Sequence, residues 1–163
     1  AGVVAAAALI AGVTDVVADH HAKRAADALA RGDGGDAAEA AEAAVDTRGD
    51  VLRLHLLAAE AVLLDQQGTV AALRHVDRAL DLSPGDPIAL RTKARLLVDR
   101  AGSTGLPAHR DEAASFVDER LRADPYEPQL WQLRATLALL EADPAAARAA
   151  AERAVELTPT SGS

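Results

Sequence analysis

Residues 128–159 read PQLWQLRATLALLEADPAAARAAAERAVELTP, two segments rich in alanine and leucine, parted at Asp143-Pro144 and closed by Thr158-Pro159. Alanine, leucine, arginine and glutamate lose little side-chain freedom in a helix and are strong helix formers. Pro128 suits a first helical turn, where no amide donor is needed. The stretch predicts two helices, near 128–141 and 145–157, joined by a tight turn.

Similar punctuation recurs upstream at Gly49-Asp50, Ser83-Pro84-Gly85-Asp86-Pro87 and Asp124-Pro125-Tyr126-Glu127-Pro128. It frames three more helix pairs, near 16–31 and 36–47, 51–66 and 70–82, and 87–101 and 110–123. The intervening turns are Gly32–Gly35, Gly68-Thr69 and a longer Gly102–His109 loop, expected to project from the array. Asp50 and Asp86 read as helix N-caps, whose carboxylates would accept bonds from first-turn amides. Asp36 with Glu39 has capping-box spacing. Gly49 to Pro84 spans 35 positions, Pro84 to Pro125 41, and Pro125 to Pro159 34; the Gly102–His109 segment supplies the seven-residue excess. The helix expected over Val51–Gln66 is apolar almost all round, with only a stripe of Arg53 and Glu60 polar, as befits a helix held between neighbours.

Composition supports the helical reading. Half of the 163 residues are apolar but only 2% are aromatic, so alanine supplies most of the apolar positions. Small side chains let helices approach closely, and no alternating strand-like run of Val or Ile occurs. The net charge of −8 argues against nucleic acid, whose phosphates attract basic surfaces. The absence of cysteine excludes disulfides and thiolate chemistry. The sequence also lacks methionine and is expected to be a piece of a longer protein. Its abundance of Arg over Lys, with much Ala and Gly, suggests a high-GC bacterial source.

A helix-turn-helix period of about 34 residues resembles the tetratricopeptide repeat (TPR) superfamily. Trp131, Ala135, Ala138, Ala147, Ala151, Ala154 and Pro159 match its bulky, small and terminating positions. Ala25, Ala28, Gly32, Ala37, Ala41 and Ala44 follow the same register, with Gly49 for proline. So do Leu57, Ala61, Leu64, Gly68, Ala72, Val76, Ala79 and Pro84. The third block, with Leu90, Ala94, Leu97, Ala113 and Pro125, diverges most and carries Arg120 at a normally small position. The resemblance covers residues 16–159 and implies an all-α fold: a right-handed superhelix of about four antiparallel hairpins, with residues 160–163 a tail. Trp131 is expected to wedge between the last two hairpins.

A narrower resemblance rests on short motifs. An apolar helix runs into DHHAKRAADALARGD at residues 19–33, followed by SPGDP, LLVDRA, a DP turn with a Trp beyond it, and RAVELTP. These resemble the C-terminal repeat domain of bacterial O-antigen ligase and polysaccharide polymerase-like membrane proteins. That likeness implies a bacterial, membrane-attached appendage without a transferase site of its own. Residues 1–18, AGVVAAAALIAGVTDVVA, fit this context as the end of a transmembrane helix. A buried helix packed on the array and the remains of a signal peptide are the other readings.

No catalytic, cofactor or metal constellation is expected. Adjacent histidines His20 and His21 point about 100° apart on a helix and would not share an ion. Asp19 and Lys23, one turn apart, have ion-pair spacing. His55, His75 and His109 are isolated in sequence, and no Ser-His-Asp pattern is present. The tripeptides Arg31-Gly32-Asp33 and Arg48-Gly49-Asp50 read as helix ends rather than adhesion signals. TPR arrays bind partners on the face lined by the first helix of each hairpin. By register that face would hold His55, Arg91, Arg95, Gln129 and Gln132, and Arg91 with Arg95 makes a small basic spot. The function expected is non-catalytic scaffolding that binds a protein or peptide partner, or a glycolipid-linked assembly component. The alternative is a free-standing soluble TPR protein binding peptides in the cytoplasm.

Overall fold

The computed structural model describes residues 2–66 and 68–158, with side chains from residue 14 onward. Pro159 and the expected tail 160–163 lie outside the described residues. Among the described residues the chain is all-α. Eight helices run in order: α1 (Gly2–Arg31), α2 (Gly34–Thr47), α3 (Leu52–Leu64), α4 (Thr69–Leu82), α5 (Pro87–Thr104), α6 (Pro107–Ala123), α7 (Pro128–Leu140) and α8 (Pro144–Leu157). They pack as two compact units, residues 1–89 and 90–163.

The first unit holds the α1/α2 and α3/α4 hairpins, with α3 also packed on α2. Its core is mostly alanine. Ala25, Ala28, Ala37, Ala40 and Ala41 are wholly buried. Ala18, Ala44 and Leu54 meet where three helices converge, with Ala22, Val45 and Val51 packed around them. Methyl-sized side chains keep the helix axes close, so this core is thin and sensitive to added volume.

The helix ends correct two sequence expectations. Asp33 caps α2, with the Asp36 N–H donating to its Oδ1 at 3.2 Å. The helix starts two residues before Asp36, so Asp36 lies in the first turn and does not form the expected capping box. Arg24 of α1 instead reaches Asp36 and Glu39, at 3.9 and 3.7 Å. Asp50 does not cap α3 either: the N-cap is Val51, which offers no side-chain bond. Asp50 accepts from Arg48 Nε and Nη2 at 2.7 and 3.1 Å. That hydrogen bond holds the Asp50 carboxyl below its usual range and raises the Arg48 guanidinium. Arg48 also pairs with Asp15 of α1. The Arg48–Asp50 tripeptide is thus engaged in structure, and Arg31–Asp33 closes α1 through Gly32 at φ +75°. Asp86 does behave as expected, accepting from the Ile88 and Ala89 amides at 3.0 and 2.8 Å.

Apolar residues 2–18 and the first helix of the first pair are one continuous helix, Gly2–Arg31, of 30 residues, roughly 45 Å long. Among the described residues no helix is long and apolar enough to cross a membrane. Side chains 1–13 lie outside the described residues, so the reading of 1–18 as a span rests on sequence alone.

The second unit holds the α5/α6 and α7/α8 hairpins. Here the projecting Gly102–His109 loop is replaced by helix. α5 runs through Thr104 and α6 begins at Pro107, leaving only Gly105 and Leu106 between them. The Ser103 and Thr104 hydroxyls donate back to the Arg100 carbonyl at 3.2 and 2.8 Å and prolong the last turn. Gly105, at φ +64°, ends it, and Pro107 starts the next helix. The excess residues lengthen the hairpin: α5 and α6 have 18 and 17 residues, whereas the other two-helix pairs beyond α1 use helices of 13 or 14. Gly102 and Gly105 suggested a loop, but neither prevents helix when local hydroxyls and a following proline define the ends.

Arg100 pairs with Glu112 across the α5/α6 hairpin, and Lys93 lies over the Phe116 ring at 5.4 Å from its centroid. Arg110 donates to the Leu140 carbonyl at 2.8 Å, and Arg134 of α7 reaches Asp118 and Glu141 at 3.1 and 3.2 Å. The core of this unit carries more leucine, with Leu96, Leu97 and Leu137 fully buried.

Trp131 is not the buried wedge expected. It is half-buried, and its indole N–H donates to the Pro125 carbonyl at 2.9 Å, fastening α7 to the turn before it. Deep burial would leave the indole N–H in need of an internal acceptor; at the start of α7 the turn supplies one near solvent. Trp131→Phe should therefore cost only about 1 kcal/mol, the net worth of one hydrogen bond. Chemical denaturation of the two proteins checks this, and a loss several times larger would restore the wedge.

Candidate partner-binding groove

In the first unit, α1 and α3 lie side by side as the leading helices of their hairpins. A groove of about 450 Å³ runs between them, lined by Asp19, Ala22, Lys23, Ala26, Arg53, Leu54 and Leu57. The helical period explains the lining. Asp19, Lys23 and Ala26 recur at four and three residues on α1, and Arg53 and Leu57 are one turn apart on α3. Ala22, Leu54 and Leu57 make a partly buried apolar floor, while Asp19, Lys23 and Arg53 stand exposed along it.

The charges of the groove are unequally satisfied. Arg53 Nη2 donates to Asp19 Oδ1 at 2.5 Å, joining the two helices over the groove. Asp19 was expected to pair with Lys23; the α3 arginine takes it instead, its Nη2 reaching across from the facing helix. Lys23 takes part in no ion pair among the described residues. It is a cation beside an apolar floor on a protein of net charge −8.

The sequence-predicted face fares unevenly. His55 is only 4% exposed and points away from the groove: its Nε2 lies 3.0 Å from the Gly49 carbonyl, and its ring lies tilted against that of His75, centroids 5.9 Å apart. It is therefore a core residue and not a groove contact. His75 in turn bonds Glu42 of α2 at 3.0 Å. The misassignment has a simple cause. On an α3 apolar all round, the open side is marked by Arg53, Leu57 and Glu60, and His55 sits about 200° from Arg53. The polar stripe at Arg53 and Glu60 was the available signal for the open side. Lys23 could have been found with it, from its position in α1.

In the second unit Arg91 and Arg95 stand one turn apart on α5, Arg91 half-buried and Arg95 exposed. Neither takes part in an ion pair among the described residues. Gln129 and Gln132 are exposed on the first turns of α7. His20 and His21 sit edge-to-face, 5.8 Å between centroids, and no group of three metal-ligating side chains occurs among the described residues.

The fold has solved counterparts. A crystal structure of MamA superposes with a TM-score of 0.70 over 86% of this chain and 77% of its own, at 16% identity. MamA 41-end from Desulfovibrio magneticus RS-1 gives 0.71 over 87% and 76%, again at 16% identity. These are TPR-like helical repeat structures, and the likeness establishes the α-solenoid class of the fold. No family profile matches the sequence, and no curated protein matches it.

Proposed function

We propose that this chain is a non-catalytic interaction scaffold whose α1–α3 groove holds an extended peptide segment bearing an acidic group beside small aliphatic side chains. The observation that carries the reading is Lys23, a cation without an ion-pair partner among the described residues, set beside the apolar floor of Ala22, Leu54 and Leu57. A carboxylate there gains a charge-assisted bond, and the neighbouring methyl groups gain burial. The TPR-like fold supports protein or peptide partners in general. Arg91 and Arg95 form a second basic spot suited to the same chemistry.

The test is a titration of fluorescent peptides that alternate alanine and leucine and end in a carboxylate or in an amide. The carboxylate form should bind more tightly, and Lys23→Ala should remove that preference, a loss of roughly tenfold, or about 1.4 kcal/mol. Replacing Arg91 and Arg95 together should weaken binding and flatten its salt dependence only if the ligand also engages the second unit. Equal affinities for carboxylate and amide peptides would end the proposal.

A second reading makes the domain an appendage of a membrane protein of cell-surface polysaccharide assembly, with a glycolipid-linked phosphate in place of the carboxylate. Its support is the apolar run 1–18 and the short motifs shared with O-antigen ligase-like proteins. A parent gene with many apolar segments upstream would favour it. The peptide-binding scaffold needs no such context and is the reading preferred.

A further inference from the structure

Two histidine rings inside the first unit differ in what they can do with a proton. His55 of α3 is buried, and its Nε2 lies 3.0 Å from the Gly49 carbonyl. A carbonyl oxygen only accepts, so Nε2 carries the hydrogen and the neutral ring leaves Nδ1 bare. That Nδ1 is buried and has no hydrogen-bond partner among the described residues. A second proton would put a charged N–H there without an acceptor, a costly arrangement away from water. His75 of α4 lies against this ring, centroids 5.9 Å apart, and its Nε2 is 3.0 Å from Oε1 of Glu42 on α2. A proton added to His75 makes an ion pair with Glu42, and the resulting cation then opposes a second one on His55. The charges around the Gly49 turn and on the first turn of α3 are engaged elsewhere. Arg48 pairs with Asp50 and with Asp15 of α1, and Arg53 holds Asp19.

We propose that the His55–His75 pair is an acid-sensitive latch that closes the α3/α4 hairpin on α2. In acid the closed pair holds one added proton, on His75 against Glu42. In the open state both rings reach water and each takes one. Opening therefore takes up a proton, which fixes the sign. The latch is at full strength above the ordinary histidine range of about 6.5 and weakens as pH falls below it. What gives way is the burial of His55, because its charged ring must reach water. Arg53, Leu54 and Leu57 ride on α3, so an open latch also withdraws one wall of the α1–α3 groove. The latch does not depend on what that groove binds.

Hydrogen exchange of the whole chain at two pH values, one above and one below the histidine range, reads the opening of α3 separately from global unfolding. Rates are corrected for the intrinsic pH dependence of exchange. Opening should grow about tenfold on going from about pH 7 to about pH 5, within what uptake of one proton allows. Helices α7 and α8, which contain no histidine, should stay unchanged. His55→Gln keeps a donor for the Gly49 carbonyl but takes no proton, so its α3 should open equally at both pH values. Glu42→Gln removes the anion that receives the His75 proton and should steepen the acid response. NMR of the ring nitrogens in the folded parent is a further measurement, which decides the matter if His55→Gln fails to fold. At the lower pH, His75 should be doubly protonated and His55 should still be the neutral Nε2–H tautomer. The proposal is overturned by an acid response in His55→Gln equal to the parent's, or by one unchanged in Glu42→Gln. A parent without an acid response, or a doubly protonated His55 in the closed fold, overturns it as well.

Discussion

Gly34→Ala should destabilise the protein by about 3 kcal/mol, the upper end of what overpacking a close contact costs. A Cβ at this position would lie 2.7 Å from the Asp65 Cα and backbone N and 2.8 Å from the Leu64 carbonyl carbon. All three are backbone atoms at the end of α3, so no side-chain rotation relieves the clash; α2 must move away from α3. The sign is informative, because replacing glycine by alanine where the backbone tolerates it stabilises by about 0.4–1 kcal/mol through the unfolded chain. The neighbouring glycine is the internal control. A Cβ at Gly35 would meet only the Asp65 side-chain oxygen, at 3.7 Å, so Gly35→Ala should be harmless. Urea unfolding of the two variants measures the contrast, and an unchanged midpoint for Gly34→Ala would show that the entrance of α2 can slide off α3 at no cost.

Leu137→Ala should cost about 4 kcal/mol, toward the top of the range for opening a cavity in a core. Leu137 is fully buried on α7 and is one of few large side chains in the interior, with Leu96, Leu97, Val62, Val76 and Val117. Cavity cost depends on how far the surroundings collapse. Its own helix offers Ala138 beside it, and the facing helix α8 buries Ala147, Ala150 and Ala154. Alanine has no rotamers with which to fill a void, so little of the loss is recovered. Leu139→Ala, at a residue 64% exposed on the same helix, should change stability by no more than about 0.5 kcal/mol. Thermal or urea unfolding of the pair separates burial from helix propensity, and similar midpoints for both would contradict the packing described for α7 and α8.

The helices and their pairing were legible from local chemistry. Pro87, Pro128, Gly32 and Gly68 mark ends through constraints on φ that act within one or two residues, and the alanine register marks which faces must be close. The groove was only partly legible. Lys23 and Arg53 were visible as polar positions, but that Arg53 would leave Lys23 unpaired by taking Asp19 depends on α1 and α3 lying side by side. Local hydrogen-bond competition likewise decided the Gly102–Thr104 segment, where hydroxyls on the Arg100 carbonyl favoured helix over the loop that glycine suggested.

The order of elements, the all-helical class and every hairpin turn but the one between α5 and α6 followed from propensity and periodicity, which are properties of short stretches of chain. The side of α3 that faces solvent did not. Hydrophobicity left only a narrow polar stripe of Arg53 and Glu60 on α3, while the repeat register put His55 on the contact face. Packing of α3 against α1, α2 and α4 decided it: His55 was turned inward onto the Gly49 carbonyl and the His75 ring, and Arg53 was left at the groove with Asp19. Two of these contacts, His55 with His75 and Arg53 with Asp19, join residues 20 and 34 positions apart. Their geometry depends on how close alanine allows each pair of helices to come, which only the assembled hairpins determine.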